Sequence, residues 1–238
     1  MANAKLAAQI ADNLGLDLPP VALAFHDTAP AGVAVTDDIV PSACAFWRKA
    51  EAGVFFAPVA RHANCPIGAF VMGFELGDAL MAELQSLIGE MTACGYVHRD
   101  EPAKIPVNRR KAAGILYGPL AAFPGEPDAV LVWLTPTQAM IWSEATGGAA
   151  WTGSPPTNVF GRPACAAIPA ALDKGGPALS LGCMGMRTFT AIPADRMLAV
   201  IPGPQLADFA KAIAETTGVN RAMRRFYEGR LAALGAKG

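Results

Sequence analysis

Five cysteines are the residues of this sequence whose type and spacing could do chemistry: Cys44, Cys65, Cys94, Cys165 and Cys183. Their number is odd and no export signal precedes them, so a disulfide framework is not expected. The thiols could be metal ligands, or one of them could be a reactive nucleophile. They could also be small buried hydrophobic side chains, as free cysteines often are.

Four of the cysteines form two similar pairs, Cys44 with Cys65 and Cys165 with Cys183. A proline-led apolar strand precedes each pair, and a glycine follows the second cysteine of each pair by two or three positions. We interpret this as an internal repeat, with halves at about 15–95 and 115–205. Two similar halves packed face to face would bring the four thiols toward a pseudo-twofold axis.

Three of these cysteines, Cys44, Cys65 and Cys165, fall at predicted helix starts, where free N–H groups and the helix dipole favour a thiolate. Cys183 precedes a glycine that predicts only a tight turn. Four thiolates spread along a chain suit an iron–sulfur cluster or another metal centre with four cysteine ligands. The spacing matches neither zinc ribbons nor small ferredoxins. Cys94 has no counterpart, and we expect it to be structural.

Two further residues could act beside such a centre. His62 precedes Cys65 by three positions and could bind a metal or move a proton, although a structural histidine is the alternative. Arg187 follows Cys183 by four positions in a stretch poor in charge. It could neutralise an anionic cluster or bind a substrate carboxylate or phosphate, and a surface ion pair is the alternative.

The elements that must position these residues are short apolar strands alternating with helices. This pattern predicts one α/β or α+β domain over residues 1–238, with short strands and covering helices. We expect the two C-terminal helices at 204–235 and an exposed connection at 96–114. Strands are predicted at 21–25, 55–60, 127–134, 178–181 and 197–201, and helices at 43–52, 76–91 and 136–144.

The composition excludes several classes of protein. Hydrophobic residues make up 53% of the chain and charged residues 16%, which is incompatible with intrinsic disorder. A net charge of −1 without a basic face makes nucleic acid an unexpected partner. No apolar run is long enough to cross a membrane, so we expect a cytoplasmic protein without a membrane partner. The sequence lacks the usual nucleotide-binding and serine-hydrolase motifs.

Several segments together resemble a known family. LPPVALAF, SACAFWRKAEAG and NCPIGAFVMGF resemble the first half of the family called domain of unknown function 169, and PDAVLVWLTPTQAM, RPACAA and LGCMGMR resemble its second half. The resemblance covers roughly residues 15–205. It implies no settled activity. It does imply a set of residues that members typically share: Cys44, Cys65, Cys165, Cys183 and Arg187.

We therefore expect the four paired cysteines to hold an iron–sulfur cluster of the [4Fe–4S] type, with Arg187 and His62 around it. The expected role is a redox function or the handling of a small ligand. The expected partners are a small molecule or a redox protein, together with further copies of the chain in a homo-oligomer. A thiol-dependent enzyme is one alternative. The other is a module that binds a small apolar or tetrapyrrole-like molecule in a pocket lined by Trp47, Trp133, Trp142, Trp151, Met72, Met140, Met184 and Met186.

Overall fold

In the part of the chain that the structure describes, seven strands form one sheet, and helices cover both of its sides. The computed structural model describes residues 2–147 and 158–235. The strands within these residues are β1 (Val21–His26), β2 (Phe55–Pro58), β3 (Gly114–Pro119), β4 (Ala129–Leu134), β5 (Asn158–Phe160), β6 (Ala178–Ser180) and β7 (Met197–Pro202). The α-helices are α1 (Ala2–Leu14), α2 (Ala45–Lys49), α3 (Pro66–Val71), α4 (Asp78–Ala93), α5 (Pro136–Ala145), α6 (Ala167–Lys174), α7 (Met184–Phe189) and α8 (Leu206–Ala233).

The strands follow the order β2-β3-β1-β4-β7-β6-β5. All neighbours are antiparallel except β5 and β6, which are parallel. This is a single mixed α/β domain, and it confirms the predicted fold class. Strand β3, which the sequence assigns to the start of the second half, lies between β2 and β1.

Both faces of the sheet are buried. In β4, Leu131 and Trp133 belong to one core and Val130 and Val132 to the other, because successive strand residues point to opposite sides. We call the first side the cysteine face, since its core contains two of the cysteines; α2, α3, α6 and α7 cover it. Helices α1, α5 and α8 cover the other side, the opposite face. Burial on both sides explains why the strands are continuous apolar runs in the sequence.

The strand order has a twofold correspondence. Strands β1 and β4 are antiparallel neighbours at the centre, with β3 and β2 beyond β1 and with β7 and β6 beyond β4. The residue after β3, Leu120, donates to the carbonyl of Pro20 before β1, and the residue after β7, Gly203, donates in the same way to Asp128 before β4, both at 2.8 Å. The internal repeat itself stays a prediction, since strand order can correspond without any likeness in sequence.

The structure differs from the predicted elements in four places. A single helix, α8, occupies most of 204–235 where two were predicted, because Gly218 continues the helix at a cost of only about 1 kcal/mol. Strands β3 and β5 form where no strand was predicted, and β5 pairs with β6. Helix α7 forms where only a turn was predicted.

None of the helices within residues 2–147 and 158–235 has the length and the apolar character needed to cross a bilayer.

Candidate functional site

Cys44 lies directly before α2 and is buried on the cysteine face. Its sulfur stands 3.1 Å from the hydroxyl oxygen of Ser42. Ser42, in the segment SACAFWRKAEAG, is of a residue type that commonly caps helices with its side chain. Instead its carbonyl accepts from the N–H of Ala45 at 3.0 Å and its hydroxyl contacts the sulfur. The serine therefore supplies a hydrogen-bond partner to a thiol that is otherwise surrounded by apolar side chains.

Cys65 directly precedes α3, whose first residue is Pro66, as predicted. The cysteine is half-buried. A Cβ atom added at Gly68 would stand 2.9 Å from the sulfur of Cys65 and 3.0 Å from Cβ of Ala43. Because Gly68 has no side chain, the first turn of α3 packs directly against the segment that carries Cys44.

The second pair has a similar arrangement of one buried and one half-buried cysteine. Cys165 lies in the 3-10 helix Ala164–Ala166 that leads into α6, and it is buried. Cys183 directly precedes α7 and is half-buried, and its sulfur accepts from the N–H of Met186 at 3.5 Å. Each pair thus offers one buried and one half-buried cysteine.

The four thiols lie close enough together to interact electrostatically. Burial raises the pKa of the Cys165 thiol well above its ordinary value, and the nearby Cys65, Cys183 and Cys44 raise it further. Burial likewise raises the pKa of Cys44 to about 12. The hydrogen bond with Ser42 acts in the opposite direction, and the nearby Cys183 and Cys65 add smaller increases. Cys44 and Cys165 also belong to one core, and Cys183 packs against it.

The expected thiolates are not favoured at the two buried positions. The sequence predicted that helix starts would favour the charged form of Cys44 and Cys165, but burial in an apolar core favours the protonated thiol more strongly. As the side chains stand, no group of three or more His, Cys, Asp or Glu among the residues the structure describes could hold a metal ion.

Tyr117 is a member of this region that the sequence analysis missed. It lies on β3, fully buried, and burial raises the pKa of its hydroxyl, with Cys44 and Cys165 adding to the effect. A hydrogen bond from Trp47 acts in the other direction. One signal was available, because a tyrosine in an otherwise apolar strand must find a polar partner when it is buried.

His62 is that polar partner. Its Nε2 lies 3.2 Å from the Tyr117 hydroxyl and its Nδ1 lies 3.1 Å from the carbonyl oxygen of Pro58. The rings of Phe46 and Phe74 pack on it at 5.1 and 4.9 Å. Burial lowers the pKa of His62 to about 4, so the imidazole is neutral at physiological pH. The contact with the Tyr117 hydroxyl therefore connects His62 to the cysteine region.

Arg187 is held by backbone carbonyls. Its guanidinium donates to four carbonyl oxygens, and no acidic side chain within the described ranges pairs with it. The acceptors are Leu181, Pro193, Ala194 and Arg196, at 2.8 to 3.3 Å. The surface ion pair considered for this arginine is absent from that part of the chain. The side chain instead ties the segment after β6 to the segment before β7, and so fixes the loop that carries Cys183.

The remaining candidate residues lie elsewhere or fill the core. Cys94 is exposed at the end of α4 and its sulfur contacts the carbonyl of Met91 at 3.4 Å. Trp151 lies outside the described residues. Core positions are occupied by Trp47, Trp133, Trp142, Met72 and Met186, whereas Met140 and Met184 are exposed.

Two surface pockets of about 350 and 410 Å³ lie away from the cysteines. Asp27, Glu75 and Lys111 contribute the charged groups of the first pocket. Asp37, Asp38 and Lys49 line the second. Neither pocket includes a tryptophan or methionine in its lining, so they do not correspond to the apolar pocket considered as an alternative.

A family model described as uncharacterised ArCR, the domain of unknown function 169, matches residues 9–212, and this range contains both cysteine pairs and Arg187. The chain belongs to this family. Membership in the domain of unknown function 169 confirms the resemblance seen in the sequence, and it assigns no reaction because the family is uncharacterised. No curated protein and no solved structure matches the chain.

Proposed function

We propose that this protein binds an iron–sulfur cluster through Cys44, Cys65, Cys165 and Cys183. The observation that supports the proposal is that Cys44 and Cys165 lie in one apolar core against which Cys183 packs, while Gly68 brings Cys65 close to the segment that carries Cys44. It involves both pairs of cysteines, although the pairs are separated by about half of the chain. Four cysteine sulfurs that meet in one region would form the ligand set that iron–sulfur clusters use.

The donor set favours a cluster over a single ion. A cluster takes one thiolate at each of several iron atoms, whereas a single zinc ion needs four ligands within about 2.3 Å of one point. The side chains within the described ranges do not form a group for a single ion as they stand. A cluster needs a wider arrangement of sulfurs, and two of the four cysteines, Cys65 and Cys183, are only half-buried.

The surroundings would tune such a centre. The Ser42 hydroxyl and the Met186 N–H contact two of the sulfurs, and hydrogen bonds to sulfur raise the reduction potential of clusters. Buried side chains such as Trp47 and Tyr117 exclude water from the inner side. When bound, the cluster would supply one-electron transfer or a binding position for a small ligand. The partner on the exposed side would be a small molecule or a redox protein.

Cluster binding must release protons. The pKa of Cys44 is about 12 and that of Cys165 is also raised, so both thiols are protonated at neutral pH before iron binds. Iron displaces these protons because only the thiolate is a ligand. Iron uptake should therefore become tighter as the pH of the solution rises from 6 toward 8.

The test is to purify the protein without oxygen, reconstitute it with iron and sulfide, and assay both elements. We expect about four of each per chain and the absorption of a [4Fe–4S] centre. Replacement of Cys165 by serine should remove most of the iron, whereas Cys94→Ser is the matched control and should keep it. A chain that takes up neither iron nor sulfide refutes the proposal, as does a Cys165→Ser variant that is folded and retains its iron.

A further inference from the structure

The C-terminal half of α8 projects beyond the body of the protein. The helix packs on α1 and α5 through its first three turns, and within the described ranges its last side-chain hydrogen bonds to the body run from Thr217 to the carbonyl of Asn13 and from Asn220 to Glu144. Every residue from 221 to 235 is exposed. We call residues 218–235 the C-terminal arm.

The arm has an apolar side and a basic side. At roughly 100° per residue, its large apolar side chains fall mostly on one side of the helix. They are Val219, Met223, Phe226, Tyr227, Leu231 and Leu234, which are 43 to 73% exposed. The other side carries Arg221, Arg224, Arg225 and Glu228, and Arg230 lies within the apolar side. Phe226 and Tyr227 also contact each other, with ring centroids 5.6 Å apart.

The apolar side of the arm overlaps the side that α8 buries against the body. The buried side of the helix follows Phe209, Ile213 and Thr217. At about 100° per residue, Tyr227 and Leu231 fall in line with Phe209 and Ile213, five turns farther along the helix. The side that the body covers up to Thr217 is thus exposed in the arm, where it is free to meet a different surface.

The charge of the arm indicates what that surface is. Four arginines and one glutamate make the arm strongly basic, in a chain whose net charge is −1. Two arms packed through their apolar sides would bury Arg230 of each copy among apolar side chains, which disfavours a second copy as the occupant. A basic amphipathic helix with aromatic residues on its apolar side is typical of segments that lie on anionic membrane surfaces.

We propose that the C-terminal arm binds the surface of an anionic lipid bilayer. The helix lies parallel to the membrane, with Phe226 and Leu234 among the acyl chains and Arg224 and Arg225 against the lipid phosphates. Arg230 extends its guanidinium from the apolar side to the headgroups along its aliphatic stem. The sequence-based expectation of no membrane partner rested on the lack of a spanning segment, and a helix in the plane of the surface needs none.

This proposal is independent of the cysteine site. The family model ends at residue 212, so the arm lies outside the matched range, whereas the cysteines lie within it. Loss of membrane binding would leave the iron–sulfur proposal unaffected, and the reverse also holds.

The experiment is flotation of the full-length protein with vesicles of phosphatidylcholine, with and without phosphatidylglycerol. We expect flotation only with the anionic vesicles and at low salt. Each arginine near the surface should contribute about fivefold in affinity, so Arg224→Glu with Arg225→Glu should weaken binding at least tenfold. Phe226→Ser with Leu234→Ser should also abolish flotation. Arg109→Glu and Ile39→Ser, at exposed positions on the body, are matched controls that should keep it.

Three outcomes would overturn the proposal. They are a lack of flotation with anionic vesicles, equal flotation with neutral vesicles, and binding that survives both arm variants. Light scattering on the same proteins without vesicles tests whether a second copy of the chain covers the arm. A dimer that dissociates in the Phe226→Ser and Leu234→Ser variant would show that a second copy covers the arm, and would overturn the membrane proposal as well.

Discussion

The two faces of the sheet are built from the same strands but bury different chemistry. On the opposite face, apolar side chains of α1, α5 and α8 fill the core, with Trp142 packed on Phe209 at 4.3 Å. On the cysteine face, two thiols, a tyrosine and a histidine are buried among the aromatic rings. Burying polar groups costs free energy unless they have partners. The opposite face shows that this fold can close without them, so the cysteine face is where function is to be expected.

The largest effect should come from the opposite face and should concern stability alone. Trp142→Ala removes a fully buried indole and should lower the free energy of unfolding by about 3–5 kcal/mol. Urea unfolding measures the loss, and Met140→Ala, at an exposed position of α5, is the control with an expected change below about 0.5 kcal/mol. Iron bound per folded chain should not change. If Trp142→Ala removed the iron, the two faces would not be separable.

The second effect separates buried from exposed cysteines in protein prepared without iron. A pKa of about 12, against an ordinary value of 9.0, leaves Cys44 with about a thousandfold less thiolate at neutral pH. Iodoacetamide labelling followed by mass spectrometry should therefore modify Cys44 far more slowly in the folded than in the urea-unfolded chain. Exposed Cys94 is the internal reference and should react at similar rates in both states. Fast labelling of folded Cys44 would instead support the thiol-enzyme alternative.

A smaller effect concerns pH and His62. The pKa of His62 is about 4 in the folded protein, against an ordinary value of 6.5. As the pH falls, the unfolded chain therefore binds a proton at this residue before the folded protein does. Stability should be complete above pH 6.5 and should fall between pH 6.5 and 4 by about 3 kcal/mol on account of this residue, at about 1.4 kcal/mol per pKa unit.

The measurement for His62 is urea unfolding across this pH range. The slope of stability against pH should flatten in His62→Gln and should be retained in His98→Gln, which alters an exposed histidine. A wild-type slope that His62→Gln leaves unchanged would mean that other groups carry the acid sensitivity and that His62 is not a buried neutral base.

Most of the fold could be predicted from local patterns. The proline at the first position of α3, the helix at 136–144 and the apolar strands at 21–25 and 197–201 come from local signals, and the structure has these elements where they were predicted. Strand β5 was not predictable, because three residues acquire strand structure only by pairing with β6. Helix α7 was missed because the sequence near Cys183 favours a turn as strongly as a helix start.

The candidate site was only partly accessible from the sequence. The cysteines were identified by type and spacing, and Arg187 by its isolation in a region of low charge. The sequence could not show that this arginine donates to backbone carbonyls. Its acceptors before and after it in the chain, such as Leu181 and Arg196, come together only when β6 and β7 pair. Tyr117 was missed for a similar reason, since its partner His62 lies 55 positions away along the chain.

The sequence by itself determined most of the strands, the burial of both of their faces, and the cysteines, histidine and arginine that make up the candidate site. These properties depend on the periodicity and type of near neighbours, which are written in the chain. The tertiary structure alone decided that the thiols of both pairs interact, that burial keeps Cys44 and Cys165 protonated, and that His62 is neutral. A pKa depends on the water and charges around a group, and those are set only when distant segments pack together.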